Sequence, residues 1–246
     1  MDRITQYQRE CWESYKSAIE LPDNYTYYYG NPVKVHVPVE TATHGLMIVG
    51  AYPTAHFHTI DGIPDVPVAD HLYPFSSEKY FDGSRVRPVN SGEELEGHYL
   101  KPLRWTRDKC WITDLVKVFL FKGGHVERYC KLGKNNTMAT RQQFSQYARK
   151  SLDFLYREIE LAQPLAILLL GVEVTSVVLG CSETKAVELM TPSAINKEIN
   201  GVDYIFFPLP HPGIVMRNSE RGKYWQHKLR SEFLPNLEKH LEKFVN

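Results

Sequence analysis

Two short runs without a polar side chain constrain the fold of this chain most: Leu46-Met47-Ile48-Val49 and Leu165-Ala166-Ile167-Leu168-Leu169-Leu170. A half-exposed strand alternates apolar and polar residues, because its side chains point to opposite faces. A run that is apolar at every position must be covered on both faces, as strands of helix-flanked parallel sheets are. Cys110-Trp111-Ile112-Thr113 and Val202-Asp203-Tyr204-Ile205-Phe206-Phe207 read as two further strands. Helical periodicity fills the intervals. Residues 3–20 carry Ile4, Tyr7, Cys11, Trp12, Tyr15 and Ile19 at roughly helical spacing, and Arg141 to Leu161 carry Phe144, Ala148, Leu152, Leu155 and Ile159. A short helix is expected from Val172 to Leu179, and a final one from Lys223 to Phe244 with a bend at Pro235. Strands alternating with helices predict an α/β protein, a three-layer α/β/α domain whose mainly parallel central sheet has about four strands. The length of 246 residues suits one such domain, with residues 1–30 as an N-terminal helical extension.

The strand ends carry the functional information. Leu46 to Val49 runs into Gly50-Ala51-Tyr52-Pro53, and the fourth strand runs into Pro210-His211-Pro212-Gly213. Open α/β sheets bind ligands beyond the carboxyl ends of their strands, so these two turns are expected to close one pocket. Residues 52–98 form a long irregular segment rich in Pro, Asp, His and Gly, but Phe57, Tyr73, Phe75, Tyr80 and Phe81 argue against disorder. Each feature has a bland counterpart: a strand-to-loop turn, a loop histidine, aromatic plugs under a long loop.

Composition narrows the partners. Lys plus Arg and Asp plus Glu number 29 each, so a nucleic-acid enzyme would need a local basic patch. No apolar run reaches the ~18–20 residues of a membrane span, and the N-terminus is polar. Cys11, Cys110, Cys130 and Cys181 are scattered, with no Cys-x-x-Cys pair, which fits a reducing cytoplasm better than a disulfide framework. His56, His58 and Asp61 share one loop, a weaker metal signal than a helical His-x-x-x-His, and no metal or other cofactor is assigned. A Gly-x-Ser-x-Gly elbow and a phosphate-cradling Gly-rich loop are both missing, which disfavours a hydrolase or nucleotide-binding enzyme of those kinds.

In order along the chain, Gly30-Asn31-Pro32, the Leu46–Pro53 segment, Trp111-Ile112-Thr113-Asp114-Leu115-Val116-Lys117, Pro164–Gly171 and Pro210-His211-Pro212-Gly213 with Met216-Arg217-Asn218 resemble the motifs of the uracil-DNA glycosylase superfamily, particularly its bacterial and archaeal branches. The resemblance covers most of the chain from about Gly30 onward. It implies a monomer that flips a deaminated or damaged base out of DNA and hydrolyses its N-glycosidic bond. Gly50, Ala51 and Pro53 would shape the base site, Phe75 or Phe81 would stack on the base, and Asp114 would read its edge. His211 would stabilise the departing base. Pro212 and Gly213 would enter the groove, while Arg217, Arg221 and Lys223 would hold phosphates.

Three departures from the family pattern follow. Tyr52 stands where well-studied members carry an acid or amide that handles the attacking water, and a tyrosine is a poor base at neutral pH. An aspartate of the following loop is the expected substitute, Asp82 first and Asp61 next. Asp114 replaces the usual Asn of the Thr-Asn-x-x-Lys strand, and an ionised carboxylate offers acceptors only. Altered base preference is therefore expected. Val118 follows Lys117 where the cluster-bearing branch has a cysteine, so the four-iron cluster of that branch is not expected here. The alternative to an active enzyme is a glycosylase-fold protein that binds DNA or a protein partner without catalysis.

Overall fold

In the computed structural model, residues 2–60, 63–67, 73–134 and 140–245 are described. The strands in chain order are β1 (Leu46–Gly50), β2 (Phe57–Ile60), β3 (Ile63–Pro67), β4 (Lys79–Phe81), β5 (Val86–Pro88), β6 (Cys110–Asp114), β7 (Ala166–Leu170), β8 (Ile195–Ile199) and β9 (Val202–Leu209). The helices are α1 (Arg3–Ala18), α2 (Asn90–Leu95), α3 (Gly123–Lys131), α4 (Phe144–Lys150), α5 (Leu152–Ala162), α6 (Val172–Leu179), α7 (Glu183–Leu189), α8 (Pro212–Val215), α9 (Glu220–Lys228) and α10 (Leu234–Val245).

The central sheet has five strands in the order β6-β1-β7-β9-β8. β6, β1, β7 and β9 are parallel, so their carboxyl ends share one edge, and β8 lies antiparallel outside β9. The apolar runs divide by parity, as a strand covered on both sides requires. Met47, Val49, Trp111, Ile167 and Leu169 join one core, with residues of α1, α4, α5 and α6. Leu46, Ile48, Ile112, Leu168 and Leu170 join the other, with Tyr99, Leu229, Phe233 and Leu237. This is the three-layer α/β/α arrangement. No helix among the described residues is long and apolar enough to cross a membrane.

Several expectations change in detail. The sheet has a fifth strand because β8 alternates polar and apolar residues as a half-exposed edge does, and Asn200-Gly201, both at positive φ (51° and 81°), turn it into β9. Asn-Gly is the usual sequence of such a two-residue hairpin turn. The segment after Tyr52 is more regular than expected: its described residues form the β2–β3 and β4–β5 hairpins and α2. α1 buries Tyr7, Cys11 and Tyr15 in the core and so belongs to the α/β/α body. The helix expected over 141–161 divides at Ser151 into α4 and α5. The C-terminal helix is interrupted by a wide π-type turn over Leu229–Phe233, just before Pro235, whose missing N–H cannot serve the carbonyl of Ser231.

Candidate active site

The pocket starts from the ends of β1 and β6. Gly50 lies in register with Asp114. Beyond the strands the pairing continues, the N–H groups of Leu115 and Val116 donating to the carbonyls of Gly50 and Ala51 at 2.9 Å each. A side chain at residue 50 has no room: a Cβ there would stand 2.2 Å from Asp114 Oδ1 and 2.5 Å from the ring of Phe75. Glycine therefore lets a carboxyl and an aromatic ring approach the same stretch of backbone.

Phe75 reaches this place through a strained loop. Its φ is 51°, in the left-handed region that a bulky residue rarely adopts. Arg107 holds the loop there. Its guanidinium donates to the Phe75 carbonyl at 2.7 Å and the Gly92 carbonyl at 3.3 Å, and it pairs with Glu40 at 3.0 Å and Glu96 at 3.3 Å.

Asp114 is only 3% exposed, and its carboxyl oxygens form no hydrogen bond among the described residues. Burial pushes its pKa up to about 7; Lys117 opposes the rise and Glu158 adds to it. The carboxyl is thus about half neutral near pH 7, where an ordinary aspartate is fully ionised. Beneath it, Lys117 Nζ binds Glu158 at 2.6 Å, Thr113 Oγ1 at 2.7 Å and the Asp114 carbonyl at 3.1 Å, while the Tyr7 hydroxyl donates to Glu158 at 2.5 Å. This wholly buried network ties α1, β6 and α5 together under the strand end.

His211 arrives from β9, where the Tyr99 hydroxyl donates to the Pro210 carbonyl. It caps α8, its Nδ1 accepting from the Gly213 N–H at 3.0 Å. A ring nitrogen that accepts carries no proton, so the neutral ring bears its hydrogen on Nε2. Burial lowers the pKa of His211, with Arg217 and Arg141 acting the same way against Glu173. The residue is a neutral donor at pH 7.

Ala51, Tyr52, Pro53, Phe75, Asp114 and His211 line one small cavity together with His36, His56, Tyr73, Pro74 and Ser91. Ala51, Tyr52, Thr54 and His211 also line a broad groove of about 890 Å³, which Gly213, Arg217, Arg221 and Lys122 border. The groove's other charges are Glu173, Glu183 and Glu188. Tyr52 stands at the junction, with the Arg141 guanidinium 4.6 Å from its ring centre and Arg141 held by Glu173 at 2.8 Å. Burial raises the Tyr52 pKa further, so the hydroxyl stays protonated.

Not every expected residue is here. Phe81 is 58% exposed on the β4–β5 hairpin and lines neither space. Asp82 belongs to the turn of that hairpin: its carboxylate accepts from the N–H groups of Ser84 and Arg85 at 2.9 Å, from the Ser84 hydroxyl at 2.8 Å and from Arg87. Those donors hold its pKa below the usual carboxylate range. With its acceptors engaged in the turn, it does not replace the missing acid. Asp61 lies outside the described residues. Pro212 is buried at the start of α8, and Lys223 faces a separate depression beside Gln226 and Arg230 while pairing with Glu220 at 3.7 Å. Conversely, His36, Arg107 and Arg141 carry no sequence signal, and His56 carries only a weak metal-like one. Their roles come from contacts between distant segments.

The cysteines do not suit a cluster. Cys11 and Cys110 are buried, Cys130 is exposed, and no group of three or more His, Cys, Asp or Glu among the described residues could hold a metal ion.

Fold and site define an α/β/α protein with a small pocket at the carboxyl edge of a parallel sheet, beside a broad groove. The chain belongs to the uracil-DNA glycosylase superfamily, whose family model matches residues 38–240. The Gly30-Asn31-Pro32 lead-in falls outside the match. None of the curated proteins matches the chain.

Proposed function

We propose that this protein is a DNA glycosylase that hydrolyses the N-glycosidic bond of a deaminated or damaged pyrimidine. The observation that carries the reading is Asp114, a buried carboxyl without a hydrogen-bond partner among the described residues, which lines the cavity beside Gly50, Phe75 and His211. A buried polar group costs stability unless something satisfies it, and a flipped base edge would do so. The neutral carboxyl has one donor and one acceptor, and its proton can sit on either oxygen. It can therefore donate to O4 and accept from N3–H of a uracil edge, or donate to N3 and accept from the amino group of a cytosine-like edge. The ionised form meets one acceptor of either edge with like charge. Phe75 supplies the stacking face and His211 Nε2–H a donor to the charge on the departing base. Arg217, Arg221 and Lys122 on the groove supply phosphate contacts that a neutral chain needs locally. The four unpaired cysteines fit a reducing compartment such as the cytoplasm.

The test is a panel of single-stranded and duplex oligonucleotides, each with one modified pyrimidine, scored for strand cleavage at abasic sites. Excision of at least one base is expected; excision of none overturns the reading. Gly50→Ala is expected to slow that excision about tenfold or more and to lower the melting temperature, because the new methyl overpacks a buried strand end and pushes Phe75 and Asp114 into the space the base would take. An unchanged rate would remove Gly50 from the base site.

One observation favours the second reading, a protein that binds without excising. Tyr52, at the position where the family places its water-handling group, is held under Arg141. Tight binding of the same panel with no abasic product would support it.

A further inference from the structure

Hydrolysis needs a group that takes a proton from the attacking water. Neither Tyr52, protonated and held by Arg141, nor Asp82, occupied in its turn, is free for this. We propose that His56 is the residue that activates the water, a role that rests on the glycosylase reading above. His56 lines the same cavity as Asp114 and His211. Its ring lies flat against Tyr80, centroids 4.7 Å apart at 25°, so the orientation is fixed by the β4–β5 hairpin. Neither ring nitrogen has a hydrogen-bond partner among the described residues, which leaves an edge open to a water. The other proton acceptors of the cavity have other tasks: His211 Nδ1 accepts from Gly213, Asp114 faces the base, and the buried His36 is engaged by its own interactions.

The charge environment agrees. Burial first and Arg87 second lower the His56 pKa, so the ring is neutral at pH 7 and can accept. Tyr80 and Arg87 face it from the hairpin, and His36, Asp114 and His211 share the cavity with it. In the step itself, the water oxygen bonds to C1′ of the sugar and the C1′–N bond breaks, its electron pair leaving with the base. One water proton goes to His56. The base departs as an anion, with His211 donating to its oxygen, and takes up a proton afterwards. The sum is one water divided between sugar and base.

Single-turnover excision measured between about pH 5 and pH 9 tests this. Wild type is expected to give a bell, its acid limb below the ordinary histidine range from His56 and its alkaline limb near 7 from Asp114. His56→Gln is expected to be about 10²-fold slower and to lose the acid limb, while binding of abasic-site DNA is unchanged. Added imidazole should restore part of the rate to His56→Ala. A His56→Gln enzyme within about threefold of wild type, or one that keeps the acid limb, overturns the role of His56 alone. Failure of wild type to excise any base overturns the glycosylase reading and this role with it.

Discussion

His211→Ala is expected to slow base excision by about 10²–10³-fold while leaving the affinity for abasic-site DNA nearly unchanged. The neutral ring presents Nε2–H because Nδ1 is committed to the Gly213 N–H at 3.0 Å. A donor fixed in this way costs no reorganisation when negative charge appears on the departing base, and it acts in a half-buried pocket that a bound base would close further to water. The charge exists only in the transition state, so the loss should appear in the single-turnover rate rather than in binding. His211→Gln keeps an N–H but loses the ring geometry and should fall between. A loss smaller than tenfold for His211→Ala would place the leaving-group stabilisation elsewhere.

Asp114→Asn tests the base-reading carboxyl, and its signature is pH dependence. Wild-type excision should fall about tenfold per pH unit above the value near 7 to which burial pushes Asp114, because the ionised form repels an acceptor of the base. The asparagine variant carries a donor and an acceptor at every pH, so its alkaline limb should vanish. At pH 8 it should be faster than wild type on uracil by about tenfold, and at pH 6 similar. Stability gives an independent readout. The folded-state pKa is raised, so the folded protein binds more protons than the unfolded chain between the two values, and wild-type stability falls as pH rises from about 4 toward 7. Asparagine has no such loss, so the variant's gain in melting temperature should be larger at pH 8 than at pH 5. Identical alkaline limbs in both proteins would remove Asp114 from recognition.

Much of the fold and the location of the pocket were legible in the chain. Strands covered on both faces need apolar residues at every position, so Leu46–Val49 and Leu165–Leu170 announced a helix-covered parallel sheet. Parallel strands bring their carboxyl ends to one edge, which places the turns after Val49 and Leu209 together although they are far apart in sequence. β8 escaped notice because its burial comes from one face only, although Asn200-Gly201 was a readable hairpin signal.

Side-chain chemistry was another matter. Phe75 and Phe81 are equivalent as letters, yet Arg107 folds one against Gly50 and the hairpin leaves the other in solvent. Asp82 and Asp114 are both aspartates beside small or apolar neighbours. One is ionised by backbone donors within three residues, and the other has its pKa pushed up to about 7 by burial. Likewise Tyr52 is governed by Arg141, and His56 by Tyr80, partners that no local pattern marks. The sequence alone determined the strands, their covered faces and the turns that end them, because hydrophobic period and turn chemistry are local properties. Protonation, tautomer and the membership of the pocket were decided only by the tertiary structure, because desolvation and charge at each site come from segments that meet only when the chain is folded.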